Sequence, residues 1–129
     1  MRVYLAAKFE HRERLRPVRD QIWALGHEVV STWLDEVAKL PEMTEAEFRK
    51  KLALKDLTEI RLADLFILCT IPESERGGKE VEFGAALQQF HHKLVWIVGP
   101  ARNVFHQLAD RRFDDWKECL RCLKSIGTE

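Results

Sequence analysis

The sequence of 129 residues carries no excess of either charge, because 21 lysines and arginines balance 21 aspartates and glutamates. A neutral protein lacks the long-range field that gathers nucleic acid polymers or acidic membrane surfaces. No segment approaches the roughly 20 apolar residues that cross a bilayer, and the apolar run at the start is too short for a signal peptide. We therefore expect a cytoplasmic protein whose partners include neither a nucleic acid polymer nor a membrane.

Cysteine is also scarce. The three cysteines, Cys69, Cys119 and Cys122, form an odd set, and the last two lie one turn apart on a predicted helix. We expect all three to be reduced. A zinc site would need two further ligands at a fitting spacing, and the histidines offer only the adjacent pair His91 and His92. The sequence therefore predicts no metal site.

Apolar runs alternate with helical patterns along a chain whose length and 46% hydrophobic content suit one domain spanning residues 1–129. The predicted strands cover residues 3–7, 27–33, 65–70 and 93–98. Helices are predicted up to Gly26, with Pro17 in the first turn, and then over 44–63, from 78 onward and over about 114–124. This alternation predicts an α/β fold, a doubly wound parallel sheet of flavodoxin-like or Rossmann-like type with helices on both faces.

In such sheets ligands bind beyond the carboxyl ends of the strands. Gly77 and Gly78 follow the third predicted strand, where glycine lets backbone N–H groups approach an anion at a helix N-terminus. Their spacing matches neither the dinucleotide fingerprint nor the phosphate loop of nucleotide hydrolases. The alternative is an ordinary turn, after which Glu80 and Glu82 only favour the helix dipole.

Two carboxylates depart from this ordinary pattern. Glu82 lies beside the apolar face of its helix, at the strand ends instead of in open water. Asp56 falls within the apolar stripe of the preceding helix, where the alternative is a buried salt bridge or a cap for a neighbouring loop. A carboxylate can attack the anomeric carbon of a sugar while a second polar group assists the leaving group. The pair therefore suggests glycosyl-transfer chemistry.

Four segments resemble the nucleoside 2-deoxyribosyltransferase family, which includes related nucleoside 5'-monophosphate N-glycosidases. They are VYLAAKF (3–9), KDLTEIRLADLFIL (55–68), GGKEVEFGAAL (77–87) and GPARNVFHQL (99–108). The resemblance implies that Glu82 attacks C1' of the sugar and that Asp56 orients the sugar or the nucleophile. It further implies a homo-oligomer, with the small residues from Gly84 to Ala86 packing closely against a second subunit. We expect no metal or redox cofactor, because charge stabilisation and a protein nucleophile can break the bond.

The same comparison and the predicted strand ends give a set of candidate substrate contacts: Tyr4, Ala6, Lys8, Phe9, Trp33, Ser74, Arg76, Gly77, Gly78 and Asn103. For Tyr4 the alternative is a place in the core, and for Asn103 it is the cap of a short helix. The rings of Phe9 and Trp33 could stack on a nucleobase or simply pack in the interior.

One position departs from the family. An acidic residue that contacts the base in deoxyribosyltransferases aligns with Arg76, and Glu73 or Glu75 could replace it. Alternatively, Arg76 together with Ser74 and Lys8 could recognise a phosphate, which favours the monophosphate hydrolases.

Three functions therefore stand at this point. The first is cleavage of a 2'-deoxynucleoside with transfer of the sugar to another nucleobase. The second is hydrolysis of a nucleoside 5'-monophosphate. The third is a non-catalytic nucleotide-binding module, because one fold can host many functions.

Overall fold

The computed structural model describes residues 1–36, 41–72, 77–89 and 93–126. Its strands are β1 (Arg2–Ala6), β2 (Glu28–Val29), β3 (Leu65–Cys69), β4 (Leu94–Val98) and β5 (Arg111–Phe113). They form one sheet in the order β2-β1-β3-β4-β5, and every neighbouring pair is parallel. This is the flavodoxin-like order of doubly wound sheets, so the predicted α/β fold is confirmed.

Helices connect the strands. They are α1 (Arg12–Ala24), α2 (Glu45–Leu62), α3 (Gly78–Leu87) and α4 (Trp116–Ile126), with short 3-10 turns at Phe9–His11, Thr32–Asp35 and Val104–Leu108. The side chain of Thr44 accepts a hydrogen bond from the backbone N–H of Glu47 and so caps α2. Across the described ranges, none of the helices is both long enough and apolar enough to traverse a bilayer.

The central strand β3 is buried along its whole length, as its unbroken apolar sequence predicts. It lies between β1 and β4. The ring of Tyr4 on β1 stacks on the ring of Phe66 on β3, with centroids 5.7 Å apart. Because Tyr4 is fully buried, its ring belongs to the core, and the packing fixes the direction in which its hydroxyl points.

The second strand is shorter than predicted. It covers only Glu28–Val29, and a 3-10 turn at Thr32–Asp35 follows. The reason lies in two side chains: the hydroxyl of Ser31 accepts from the N–H of Leu5, and the indole of Trp33 donates to the carbonyl of Leu5. These side chains occupy the backbone groups that a longer β2 would use, so the ladder ends there.

Two further details differ from the sequence prediction. Strand β5 is an addition, and two of its three residues are exposed arginines, so it carries no apolar run. Pro17 lies in the interior of α1 and not in its first turn. Pro17 and Glu13 are both exposed, so water can satisfy the carbonyl that loses its helical donor.

The turn after β4 requires glycine. Gly99 has a φ of +114°, and a Cβ atom there would collide with the Thr70 side chain and lie 2.6 Å from Cγ1 of Ile71. We expect Gly99→Ala to lower the free energy of unfolding by roughly 1 to 3 kcal/mol, measured by urea denaturation. Gly78→Ala is the control, because no atom lies within 4 Å of its added Cβ. Equal stability of Gly99→Ala and the parent protein would contradict this account.

Candidate active site

A cavity of about 220 Å³ opens at the carboxyl end of β1, beside helices α2 and α3. Its wall is formed by Ala7, Lys8, Phe9, Glu10, Trp33, Asp56, Gly78, Lys79 and Glu82. In the strand order, β1 is the point at which the chain turns from one side of the sheet to the other, which is where doubly wound folds bind ligands. The fold therefore brings the two singled-out carboxylates, Glu82 and Asp56, to one cavity.

Glu82 is held by the core. The hydroxyl of Tyr4 donates a hydrogen bond to Oε2 of Glu82, which joins β1 to α3. Burial raises the pKa of Glu82 to about 7; the Tyr4 hydrogen bond acts against this rise, while the charges of Asp56 and Glu59 add to it. Glu82 is consequently present in both protonated and ionised forms near neutral pH.

Asp56 projects from α2 into the same cavity. Its Oδ1 atom is buried and, within the part of the chain that the structure describes, has no hydrogen-bond partner. The adjacent Lys55 pairs with Glu36. Burial raises the pKa of Asp56 to about 6, against the lowering effect of Lys55. An unpartnered buried oxygen of this kind is costly unless a ligand supplies a donor.

Aromatic side chains form one part of the wall. Phe9 and Trp33 have ring centroids 6.3 Å apart and planes inclined by 41°. The hydrogen bond from the Trp33 indole to the carbonyl of Leu5 fixes the larger ring. Phe9 is 46% exposed, so an incoming planar group can reach its face. Lys8 and Gly78, also predicted as contacts, complete this part of the wall.

The remaining predicted contacts lie elsewhere. Ala6 is buried within β1 and Gly77 precedes α3, and neither lines the cavity. Asn103 lies outside it as well: its side chain accepts from the N–H groups of Phe105 and His106 and caps a 3-10 turn, which is the alternative given above. The predicted contacts Ser74 and Arg76, with Glu73 and Glu75, fall outside the described residues.

Sequence reasoning missed two charged residues of the wall, Glu10 and Lys79, whereas Ala7 is the predicted carboxyl end of the first strand. Lys79 is the more unusual of the two, because its side chain is only 5% exposed. The sequence did offer one sign that Lys79 lies near the site. Lys79 comes one turn before Glu82 on α3, and residues three positions apart share a face of a helix. The pattern gave no sign that this lysine would be buried.

No protein-family model and no curated protein matches the chain. Solved structures do. A 2-deoxyribosyltransferase from Bacillus psychrosaccharolyticus superimposes with a TM-score of 0.76 at 23% identity, covering 93% of this chain and 90% of that one. The fold is that of a 2-deoxyribosyltransferase. A CMP N-glycosidase from Clostridium botulinum gives 0.61 at 22% identity, covering 97% and 99% of the two chains.

A conserved protein from Enterococcus faecalis shares this 2-deoxyribosyltransferase fold too, with a TM-score of 0.73, 13% identity and 98% coverage of both chains. The resemblance noted in the sequence thus extends to the three-dimensional structures of a deoxyribosyltransferase and an N-glycosidase.

The buried carboxyl of Glu82 has a cost that mutation can reveal. Because its pKa is raised from 4.5 to about 7, the folded protein holds a proton that the unfolded chain releases, so stability falls as pH rises through this window. We expect Glu82→Gln to raise the free energy of unfolding by roughly 1 to 3 kcal/mol at pH 8. The gain should vanish near pH 4, where both states are protonated.

Urea denaturation at the two pH values measures this difference. Glu13→Gln, at an exposed position on α1, is the matched control and should change stability at neither pH. The measured quantity is the gain in free energy of unfolding of Glu82→Gln over the parent protein. A gain that is no larger at pH 8 than at pH 4 would show that Glu82 is not desolvated.

Proposed function

We propose that the protein cleaves the N-glycosidic bond of a 2'-deoxynucleoside and transfers the deoxyribosyl group to another nucleobase. The observation that carries this proposal is the convergence of Glu82 and Asp56 on one cavity, with Phe9 and Trp33 on its wall. A nucleophile, a group for the sugar and an aromatic surface for the base are the parts that such a reaction needs. The fold shared with a 2-deoxyribosyltransferase supports the proposal.

In the first step, an ionised oxygen of Glu82 forms a bond to C1' of the sugar while the bond from C1' to the base nitrogen breaks. The base departs with the electron pair of that bond and takes up a proton from water. Tyr4, through its hydrogen bond to Oε2, orients the carboxylate and stabilises its ionised form. The unpartnered Oδ1 of Asp56 accepts a hydrogen bond from a sugar hydroxyl and so positions C1'.

In the second step, a ring nitrogen of the acceptor base forms a bond to C1' and loses its proton to water, while the bond from C1' to the Glu82 oxygen breaks and the carboxylate is released. Each step inverts the configuration at C1', so the product retains the configuration of the substrate. Phe9 and Trp33 hold first the departing base and then the incoming one by stacking.

Hydrolysis of a nucleoside 5'-monophosphate is the second candidate. Lys8 lines the cavity, and none of the ion pairs among the described residues includes it. An ammonium group that takes part in none of these pairs suits a phosphate. The structural neighbour from Clostridium botulinum is a CMP N-glycosidase. In this reaction water replaces the acceptor base, and free base and sugar phosphate are the products.

The deciding assay incubates the protein with deoxynucleosides and their 5'-monophosphates, with and without a second base, and separates the products by chromatography. A new nucleoside that forms only with the added base supports transfer, whereas base and sugar phosphate released without it support hydrolysis. We expect Glu82→Ala to lower turnover by at least about 1,000-fold while the far-ultraviolet circular dichroism is unchanged. Glu13→Ala, at an exposed site, should retain full turnover.

The pH profile gives a second readout of the same assignment. Because the attacking form of Glu82 is ionised and its pKa is about 7, kcat/KM should rise as pH increases through neutrality. Turnover of Glu82→Ala equal to that of the parent protein would remove Glu82 as the nucleophile. The absence of any product across the panel would favour the non-catalytic binding module.

We also propose a homo-oligomer, as the sequence resemblance implies. Large apolar side chains at Val81, Phe105 and Leu108 are 69%, 62% and 63% exposed and surround a groove of about 730 Å³ beside α3. Monomeric proteins rarely expose contiguous apolar surface of this kind. Light scattering at micromolar concentration should give a multiple of 15.1 kDa. A mass of one chain would contradict the proposal.

A further inference from the structure

A buried lysine lies beside the candidate nucleophile. Lys79 and Glu82 are one turn apart on α3 and both line the cavity. The Lys79 side chain is 5% exposed, although lysine is almost never buried without a partner, because removing an ammonium group from water is costly. Its place in the wall therefore requires an explanation.

Lys79 forms an ion pair with its neighbour Glu80. In the described part of the chain, its ammonium group meets one carboxylate, with Nζ 3.3 Å from Oε1 of Glu80. An ammonium group has three donors, so this contact leaves donors for a ligand in the cavity.

The Glu80 carboxylate also contacts two other side chains. Nε2 of His106 lies 3.0 and 2.9 Å from its two carboxylate oxygens, and Nδ2 of Asn103 donates to Oε2 at 3.3 Å. Nδ1 of His106 accepts from the backbone N–H of Arg102 at 2.9 Å, which assigns the ring proton to Nε2.

Although burial opposes it, the hydrogen bond from His106 and the charge of Lys79 lower the pKa of Glu80. Glu80 is therefore a carboxylate whose charge is divided among several donors, and it neutralises Lys79 only in part. The cluster of Glu80, His106 and Asn103 fixes the position of the Lys79 ammonium group. The ammonium group keeps enough positive charge to bind an anion.

Other positive groups line the same cavity. Lys8 forms part of the wall, and α3 begins at Gly78, which also lines it. The first turn of a helix presents backbone N–H groups and the positive end of the helix dipole. Two ammonium groups and a helix N-terminus together match a phosphate monoester.

We propose that Lys79 is a specificity-determining residue, which binds a phosphate group of the substrate and is positioned for this by Glu80, His106 and Asn103. The inference rests on the proposed cleavage of an N-glycosidic bond and, of the two candidate substrates given above, favours the second, the nucleoside 5'-monophosphate. Glu80 acts only through Lys79 and is a positioning residue.

The first test compares kcat/KM for a deoxynucleoside 5'-monophosphate with kcat/KM for the unphosphorylated nucleoside. We expect Lys79→Met to lower this ratio roughly 10- to 100-fold, the effect of one hydrogen bond to a charged group. Lys79→Arg should retain most of the preference, and Glu80→Gln should reduce it. Lys51→Met, at an exposed site on α2, is the control and should leave the ratio unchanged.

A purely structural role of Lys79 would lower both rates equally, and an unchanged ratio in Lys79→Met would overturn the inference. A second test does not depend on turnover. In the Glu82→Ala protein, deoxyribose 5-phosphate should raise Tm and deoxyribose should not, and adding Lys79→Met should abolish the rise.

The two tests separate the two proposals. If no substrate is turned over yet deoxyribose 5-phosphate raises Tm through Lys79, the proposed reaction fails and the phosphate site stands. If deoxyribose 5-phosphate leaves Tm unchanged, or raises it equally without Lys79, the phosphate site is overturned whatever the reaction.

Discussion

The hydrogen bond between the Tyr4 hydroxyl and the Glu82 carboxylate is the contact on which the proposed chemistry depends. Burial alone would hold Glu82 protonated, and an ion pair made directly with its carboxylate would hold it ionised at the expense of its nucleophilicity. A neutral hydroxyl lies between these extremes, because it stabilises the ionised form without cancelling its charge. Tyr4 can do this reliably because its ring is stacked on Phe66 in the centre of the sheet.

The rest of the fold offsets the unfavourable free energy of this arrangement. Glu82 and Asp56 both have raised pKa values because they are desolvated, so each opposes folding when it is ionised. The opposing contribution comes from β3, which is buried from end to end, and from the buried rings of Trp96 and Phe83. Functional sites commonly retain such unfavourable groups when a well-packed core supports them.

The fold class could be predicted from the sequence, and so could the convergence of Glu82 and Asp56 on one cavity, because both follow from local patterns. Unbroken apolar runs marked β3 and β4, and Asp56 was conspicuous as an acid within an apolar stripe. Strand β5 has no such run, and the end of β2 is set by side chains of Ser31 and Trp33 that contact Leu5. The burial of Lys79 depends on Glu80, whose partner His106 lies 26 positions further along the chain. No local sequence pattern indicates a contact between residues so far apart in the sequence.

Charge within the cavity would link the choice of substrate to the protonation state of Glu82, the candidate nucleophile. A phosphate group would bring negative charge to a wall that already holds Glu10, Asp56 and Glu82, and repulsion would raise the pKa of Glu82 further. A substrate without phosphate has no such effect and needs no cation. Lys8 and Lys79 line the same wall, and their positive charges would offset the phosphate. An anionic substrate, as in the second candidate reaction, would account for the presence of both lysines beside two desolvated carboxylates.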